Sequence, residues 1–222
     1  MKQHSLKQIG LAIVGAGRVG LMRGEIAARG DRLPSKTLLY VDDAVELFFL
    51  QVQGSGRLEL DDGSVMAVGF AGHNSQPYRS IGRVLIERGE LTVERASMQG
   101  IKAWARANPS RVQELLNQNP RYVFFREEPL KDLSMGPLGA QGLPLTAGRS
   151  IAVDPQSLPY GTPLWLASEG ALPLRKLVLA QDTGNAIVGA VRADYFVGSG
   201  EAAGEIAGRV RQELRLWALW PR

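Results

Sequence analysis

The 222-residue chain is 45% hydrophobic and 22% charged, a globular composition that excludes a mainly disordered protein. It has no cysteine and only two histidines, His4 and His73, which excludes disulfides, thiolate zinc sites, a cysteine nucleophile, a lipid-carrying cysteine and any histidine-rich metal cluster. A net charge of +4, carried by scattered basic residues, argues against a nucleic-acid partner, and no apolar run reaches the roughly 18 residues of a membrane-spanning helix.

Residues 9–20 run from an apolar stretch into Gly15, Gly17 and Gly20, the G-x-G-x-x-G spacing. A possible helix follows, and then a strand, Thr37-Leu-Leu-Tyr-Val, ending in Asp42 and Asp43. On paper this is a βαβ unit in which glycines let the backbone approach a pyrophosphate and an acid holds a ribose, the signature of a nicotinamide-dependent oxidoreductase. The strand–helix repeats of a doubly wound fold do not follow after residue 50, and Gly24 and Gly30 interrupt the helix. The glycines then serve turns. Arg18 and Arg23 after the apolar run, with no small-residue cleavage site, argue against a secretory signal here.

From Leu50, apolar residues alternate with polar ones, predicting a strand broken by Gly54 and Gly56. Asp61-Asp-Gly-Ser is a turn and Val65-Met-Ala-Val-Gly-Phe a returning strand, which makes a hairpin. Helical spacing covers 78–88, 97–107 and 110–117, the last opened by Pro109. Tyr122-Val-Phe-Phe is a strand, and the Pro- and Gly-rich residues 129–148 read as a linker or crossover. Short strands are predicted at 151–153, 162–166, 177–180 and 193–196, then a helix at 201–213 and a strand at 214–220. Many short strands without strand–helix repeats argue for a barrel. Trp104, Trp217 and Trp220 are expected in the core, His73 in a surface turn.

Three aspartates punctuate the C-terminal third: Asp154 in Ala-Val-Asp-Pro, Asp182 in Ala-Gln-Asp-Thr-Gly, and Asp194 in Arg-Ala-Asp-Tyr-Phe. These segments resemble the domain named for its three aspartates, a double-psi β-barrel. Phe48-Phe-Leu-Gln-Val-Gln-Gly-Ser-Gly, Ala71-Gly-His-Asn with Tyr78-Arg-Ser-Ile-Gly, Ser97-Met-Gln-Gly-Ile and Asn119-Pro-Arg-Tyr-Val-Phe-Phe narrow the match. Together they resemble the membrane-bound lytic murein transglycosylase A family, over roughly residues 21–222. The resemblance implies a mainly β fold: a double-psi β-barrel domain plus a smaller β-rich domain with a few short helices. Residues 1–20 stay unmatched, 21–128 form the smaller domain, which the family inserts into the larger one, and 129–222 form the barrel. The family binds glycan in a groove between the two.

The activity implied is cleavage of the β-1,4 bond between N-acetylmuramic acid and N-acetylglucosamine in peptidoglycan, leaving a 1,6-anhydromuramyl end. Asp194 carries over as general acid and base, Asp182 as its supporting neighbour, and Asp154 as the first of the three, a substrate-binding candidate. Gln53, Gly54 and Ser55, with Tyr78 and Arg79 at a helix start, are further candidates for contacts to sugar. Ordinary glycosidases need two carboxylates. Here the C6 hydroxyl of the same sugar attacks, so one carboxyl can protonate the leaving oxygen and then take the hydroxyl proton. Such an acid must hold its proton, and burial beside Tyr195 and Phe196 with Asp182 nearby would raise its pKa. No metal or redox cofactor is required.

The partners expected are peptidoglycan glycan strands and, by family analogy, proteins of cell-wall synthesis or hydrolysis. The expected location is the periplasm or outer membrane. The second motif departs from the family's Asp-x-Gly-Gly-Ala-Ile and following basic residue, with Asn185 and Val188 in place of the second glycine and the basic residue. The family's export signal and longer N-terminal portion are also not matched, so an N-terminally truncated chain is expected. A truncated, non-catalytic peptidoglycan binder is therefore the alternative to the enzyme, with the oxidoreductase third.

Overall fold

The computed structural model describes residues 9–13, 20–33, 36–129, 135–184 and 186–220. The chain divides into two compact units, Met1–Leu130 and Lys131–Arg222.

In the first unit, β1 (Ile9–Ile13) pairs with β2 (Lys36–Val41) in antiparallel sense. A dinucleotide-binding βαβ unit needs two parallel strands joined by a crossover helix. The antiparallel pair overturns that reading, although Gly15 and Gly17 themselves lie outside the described residues. Asp43, the would-be ribose acid, instead caps α2 (Ala44–Gln53): its Oδ1 accepts from the Val45 N–H at 2.7 Å and the Glu46 N–H at 3.1 Å. Asp43→Ala should cost about 1 kcal/mol, the usual worth of an N-cap, read as a lower denaturant midpoint at unchanged slope.

The strand predicted from Leu50 is also corrected. Four residues of alternation are outweighed by a longer helical pattern that buries Val45, Leu47, Phe48 and Gln51. Gly54 ends α2 at φ 84°, its N–H donating to the Leu50 carbonyl at 2.8 Å. That left-handed conformation suits glycine, so Gln53 and Gly54 finish a helix instead of continuing a strand. Ser55 opens β3 (Ser55–Glu59), which forms the expected hairpin with β4 (Val65–His73), and β5 (Val123–Glu128) pairs on the far side of β4.

Three more helices, α3 (Ile81–Glu87), α4 (Met98–Ala107) and α5 (Val112–Asn117), pack with α2 around Phe48, Ile81, Leu85, Trp104 and Leu115. Ser80 is the N-cap of α3, so Tyr78 and Arg79 precede the helix and do not start it. His73 closes β4 instead of sitting in a turn, and its Nδ1 accepts from the Ser75 N–H at 2.9 Å.

A buried arginine ties this unit together. Arg23, the first residue of α1 (Arg23–Arg29), donates to the Asn119 carbonyl at 3.1 Å, the Arg121 carbonyl at 2.6 Å and Gln51 Oε1 at 2.6 Å. Its guanidinium lies 4.8 Å from the Phe48 ring centre and 5.2 Å from that of Tyr122. Burial pushes its pKa down to about 10, which still leaves it protonated at neutral pH.

The second unit contains β6 (Ser150–Val153), β7 (Pro163–Ser168), β8 (Leu174–Asp182), β9 (Ala193–Tyr195), α6 (Glu201–Arg209) and β10 (Leu214–Ala218). The strands form one sheet in the order β10-β7-β8-β6-β9, in which β6 and β8 run parallel and the other pairs antiparallel. Ile151, Val153, Leu164, Leu166, Val178 and Ala180 fill its core. Trp217 and Trp220 are exposed, correcting the expectation of core packing. β10 is an edge strand whose alternation turns Leu214 and Leu216 inward and Trp217 outward, beside the equally exposed Trp165 on β7.

Candidate active site

The register of three strands assembles the aspartates. Ala152 on β6 is the pairing partner of Asp182 on β8 and also of Asp194 on β9. The two acids therefore flank Ala152 in one row, two strand spacings apart, or about 10 Å between backbones. A shift in register between Ile151 and Ala152 brings Asp182, not Gln181, into that row. Asp154 follows directly where β6 ends. Segments separated by long stretches of sequence thus deliver all three carboxylates to one end of the sheet.

Their surroundings differ. Asp194 is 59% exposed and accepts from Arg192 Nη2 at 3.1 Å. Its neighbours Ala193 and Tyr195 turn the other way, into the core, where the Tyr195 hydroxyl donates to the Gly148 carbonyl at 3.0 Å. The apolar burial expected for Asp194 is absent because strand alternation sends Tyr195 to the opposite face.

Asp182 is the partly buried acid. Burial pushes its pKa up, against the pull of backbone N–H donors from Ala140, at 2.9 Å from Oδ1, and from Thr183. Asp154 is the reverse case. Its Oδ2 accepts from the Gly189 N–H at 2.8 Å and its Oδ1 from the Gln156 N–H at 3.0 Å, and these bonds hold its pKa low.

The sign for Asp182 gives a direct test. A carboxyl whose folded pKa is raised costs stability once pH rises past the ordinary carboxylate range, because ionisation is harder in the folded state. Asp182→Asn keeps an oxygen for the Ala140 N–H and removes the charge. Its melting temperature should exceed the parent's at neutral pH, and the gain should vanish at acid pH, where the parent's Asp182 is protonated in the folded and the unfolded state alike.

The remaining candidates lie in the first unit. Gln53 is exposed, and Gly54 and Ser55 are half-buried at the α2–β3 junction. Tyr78 is 48% exposed. Arg79 donates its N–H to Asn119 Oδ1 at 3.2 Å and pairs with Glu87 at 3.6 Å. Arg192 was missed by the sequence reading. Its signal was present in the third motif, where it stands two residues before Asp194, directly ahead of β9. Asn185 lies outside the described residues. Among the described residues no group of His, Asp and Glu is arranged to hold a metal ion.

The chain is similar to known proteins over most of its length. Residues 11–126 match the family model described as the MltA specific insert domain, and residues 149–220 match the 3D domain. The membrane-bound lytic murein transglycosylase A of Escherichia coli K12 is 38% identical over 215 residues, covering 89% of this chain and 57% of the relative. That of Vibrio cholerae is 38% identical over 192 residues, 81% and 50% of the two chains. The chain thus spans about half the length of these curated relatives.

Among solved structures, E. coli MltA with bound chitohexaose superposes with a TM-score of 0.85 at 32% identity, over 98% of this chain and 66% of that one. The lytic transglycosylase LtgG of Burkholderia pseudomallei gives 0.72 at 53% identity, with the same coverage. By its family match, its relatives and its fold, the chain belongs to the membrane-bound lytic murein transglycosylase A family.

Proposed function

We propose that the chain is a peptidoglycan lytic transglycosylase that cleaves the β-1,4 bond between N-acetylmuramic acid and N-acetylglucosamine and leaves a 1,6-anhydro end, with Asp194 as general acid and base. The observation that carries this reading is the row Asp182–Ala152–Asp194. It supplies one accessible carboxyl, one partly buried carboxyl, and only a methyl group between them. Asp194 is open to a ligand, whereas an oxygen of Asp182 is committed to the Ala140 N–H.

In this role Asp194, exposed to a glycan lying over it, donates its proton to the leaving oxygen. Having given up its proton, the same carboxyl takes the proton of the attacking C6 hydroxyl, with Arg192 hydrogen-bonded beside it. Relatives bearing the transglycosylase name, and the E. coli enzyme bound to a β-linked N-acetylglucosamine oligomer, support the substrate class. The place of such an enzyme is the periplasm or outer membrane, where its substrate lies. No described helix is long and apolar enough to cross a membrane.

Burial of Asp182 favours a second reading, in which the roles are exchanged and Asp182 is the acid. The two separate by mutation. With Asp194 as acid, Asp194→Asn loses far more turnover on purified sacculi than Asp182→Asn; with Asp182 as acid, the order reverses. Sacculus binding without turnover in the parent chain would instead support the binder.

A further inference from the structure

The connection between the two acids is fastened to the end of β6 at two points, in its described residues 183–184 and 186–193. At its start, Thr183 Oγ1 donates to the Val153 carbonyl at 2.8 Å. Further on, the Gly189 N–H donates to Asp154 Oδ2 at 2.8 Å. Gly189 has φ 96°, and the turn it begins closes with the Arg192 N–H on the Gly189 carbonyl at 3.4 Å. Arg192 in turn donates to Asp194. Asp154 thus lies three contacts from the acid, through Gly189, the turn and Arg192. Its other oxygen is engaged by the Gln156 N–H, and Ser157 Oγ is 3.4 Å from Oδ2. A carboxylate engaged on both oxygens by its own chain is poorly placed to hold sugar as well.

We propose that Asp154 is a positioning residue: by clamping Gly189 it fixes the turn that aims Arg192 and Asp194, and it does not contact glycan. The inference rests on Asp194 being the acid and base. Catalysis by a placed carboxyl is sensitive to displacements of about 1 Å, which can cost on the order of a hundredfold in rate. Loosening the clamp therefore lowers kcat while leaving glycan affinity in place.

The experiment compares Asp154→Ala and Asp154→Asn with the parent chain. Turnover is measured on soluble glycan strands released from sacculi, alongside amide hydrogen exchange at Gly189. Asp154→Ala is expected to lower kcat by about 10- to 100-fold with KM changed by less than about threefold. It should also raise Gly189 exchange by about tenfold or more. Asp154→Asn, which keeps one acceptor oxygen, should recover part of both. In an Asp194→Asn background, Asp154→Ala should lower the residual turnover no further.

A rise in KM at constant kcat would overturn the proposal and make Asp154 a glycan contact. Unchanged Gly189 exchange would overturn it as well. So would a lower melting temperature with kcat per folded molecule intact, which marks a purely structural role. If Asp194→Asn keeps full activity, it is the assignment of the acid that fails, and the exchange measurement still decides whether the clamp exists.

Discussion

Asp194→Asn is expected to keep the fold and sacculus binding and to lose turnover by about a thousandfold or more. An amide cannot protonate the glycosidic oxygen, nor take the proton of the attacking hydroxyl, so both halves of the reaction lose their catalyst. Folding should survive, because the side chain is exposed and its one described partner is the equally accessible Arg192. Unaltered circular dichroism and sacculus pull-down, with product release measured in parallel, check both parts. Activity within about tenfold of the parent would remove Asp194 from the role of acid.

The second large effect concerns stability. Arg23→Ala should destabilise the first unit by about 3–5 kcal/mol, the sum expected for an emptied core site and the loss of three hydrogen bonds. Their acceptors are the Asn119 and Arg121 carbonyls and Gln51 Oε1. A buried cation is costly, and none of the ion pairs among the described residues includes Arg23. The Phe48 and Tyr122 rings and the three oxygens offset that cost through cation–π contact and charge-assisted hydrogen bonds. Arg23→Lys should recover only part of the loss, since a single ammonium cannot reproduce the planar fork between two rings. Denaturant midpoints of the two variants measure this. A shift below about 1 kcal/mol for Arg23→Ala would show that the arginine is dispensable.

Local chemistry made part of this legible in the sequence. Asp61-Asp-Gly-Ser announced the β3–β4 hairpin, Ser97 and Pro109 marked where helical structure begins, and the spaced aspartates drew attention to the sheet that holds them. The end of α2 was misread because Leu50-Gln-Val-Gln mimics strand alternation. The stronger signals lay upstream, in the Asp43 cap and in Val45 and Phe48 at helical spacing. The pairing of Asp182 and Asp194 with the same alanine could not be read locally. It depends on a register shift at β6 and on a parallel pairing between strands distant in sequence, and a shift of one residue would put Gln181 in the row. The exposure of Asp194 follows from the same geometry, since alternation on β9 must turn either Asp194 or Tyr195 away from the core.

The most direct test of the central claim is digestion of purified sacculi in water enriched in heavy oxygen, followed by mass analysis of the released fragments. Intramolecular attack by the C6 hydroxyl should give ends one water lighter than reducing sugars and carrying no heavy oxygen. Reducing ends that carry the label would contradict it, showing that water is the nucleophile and that two carboxylates, Asp182 and Asp194, share the work of a hydrolase.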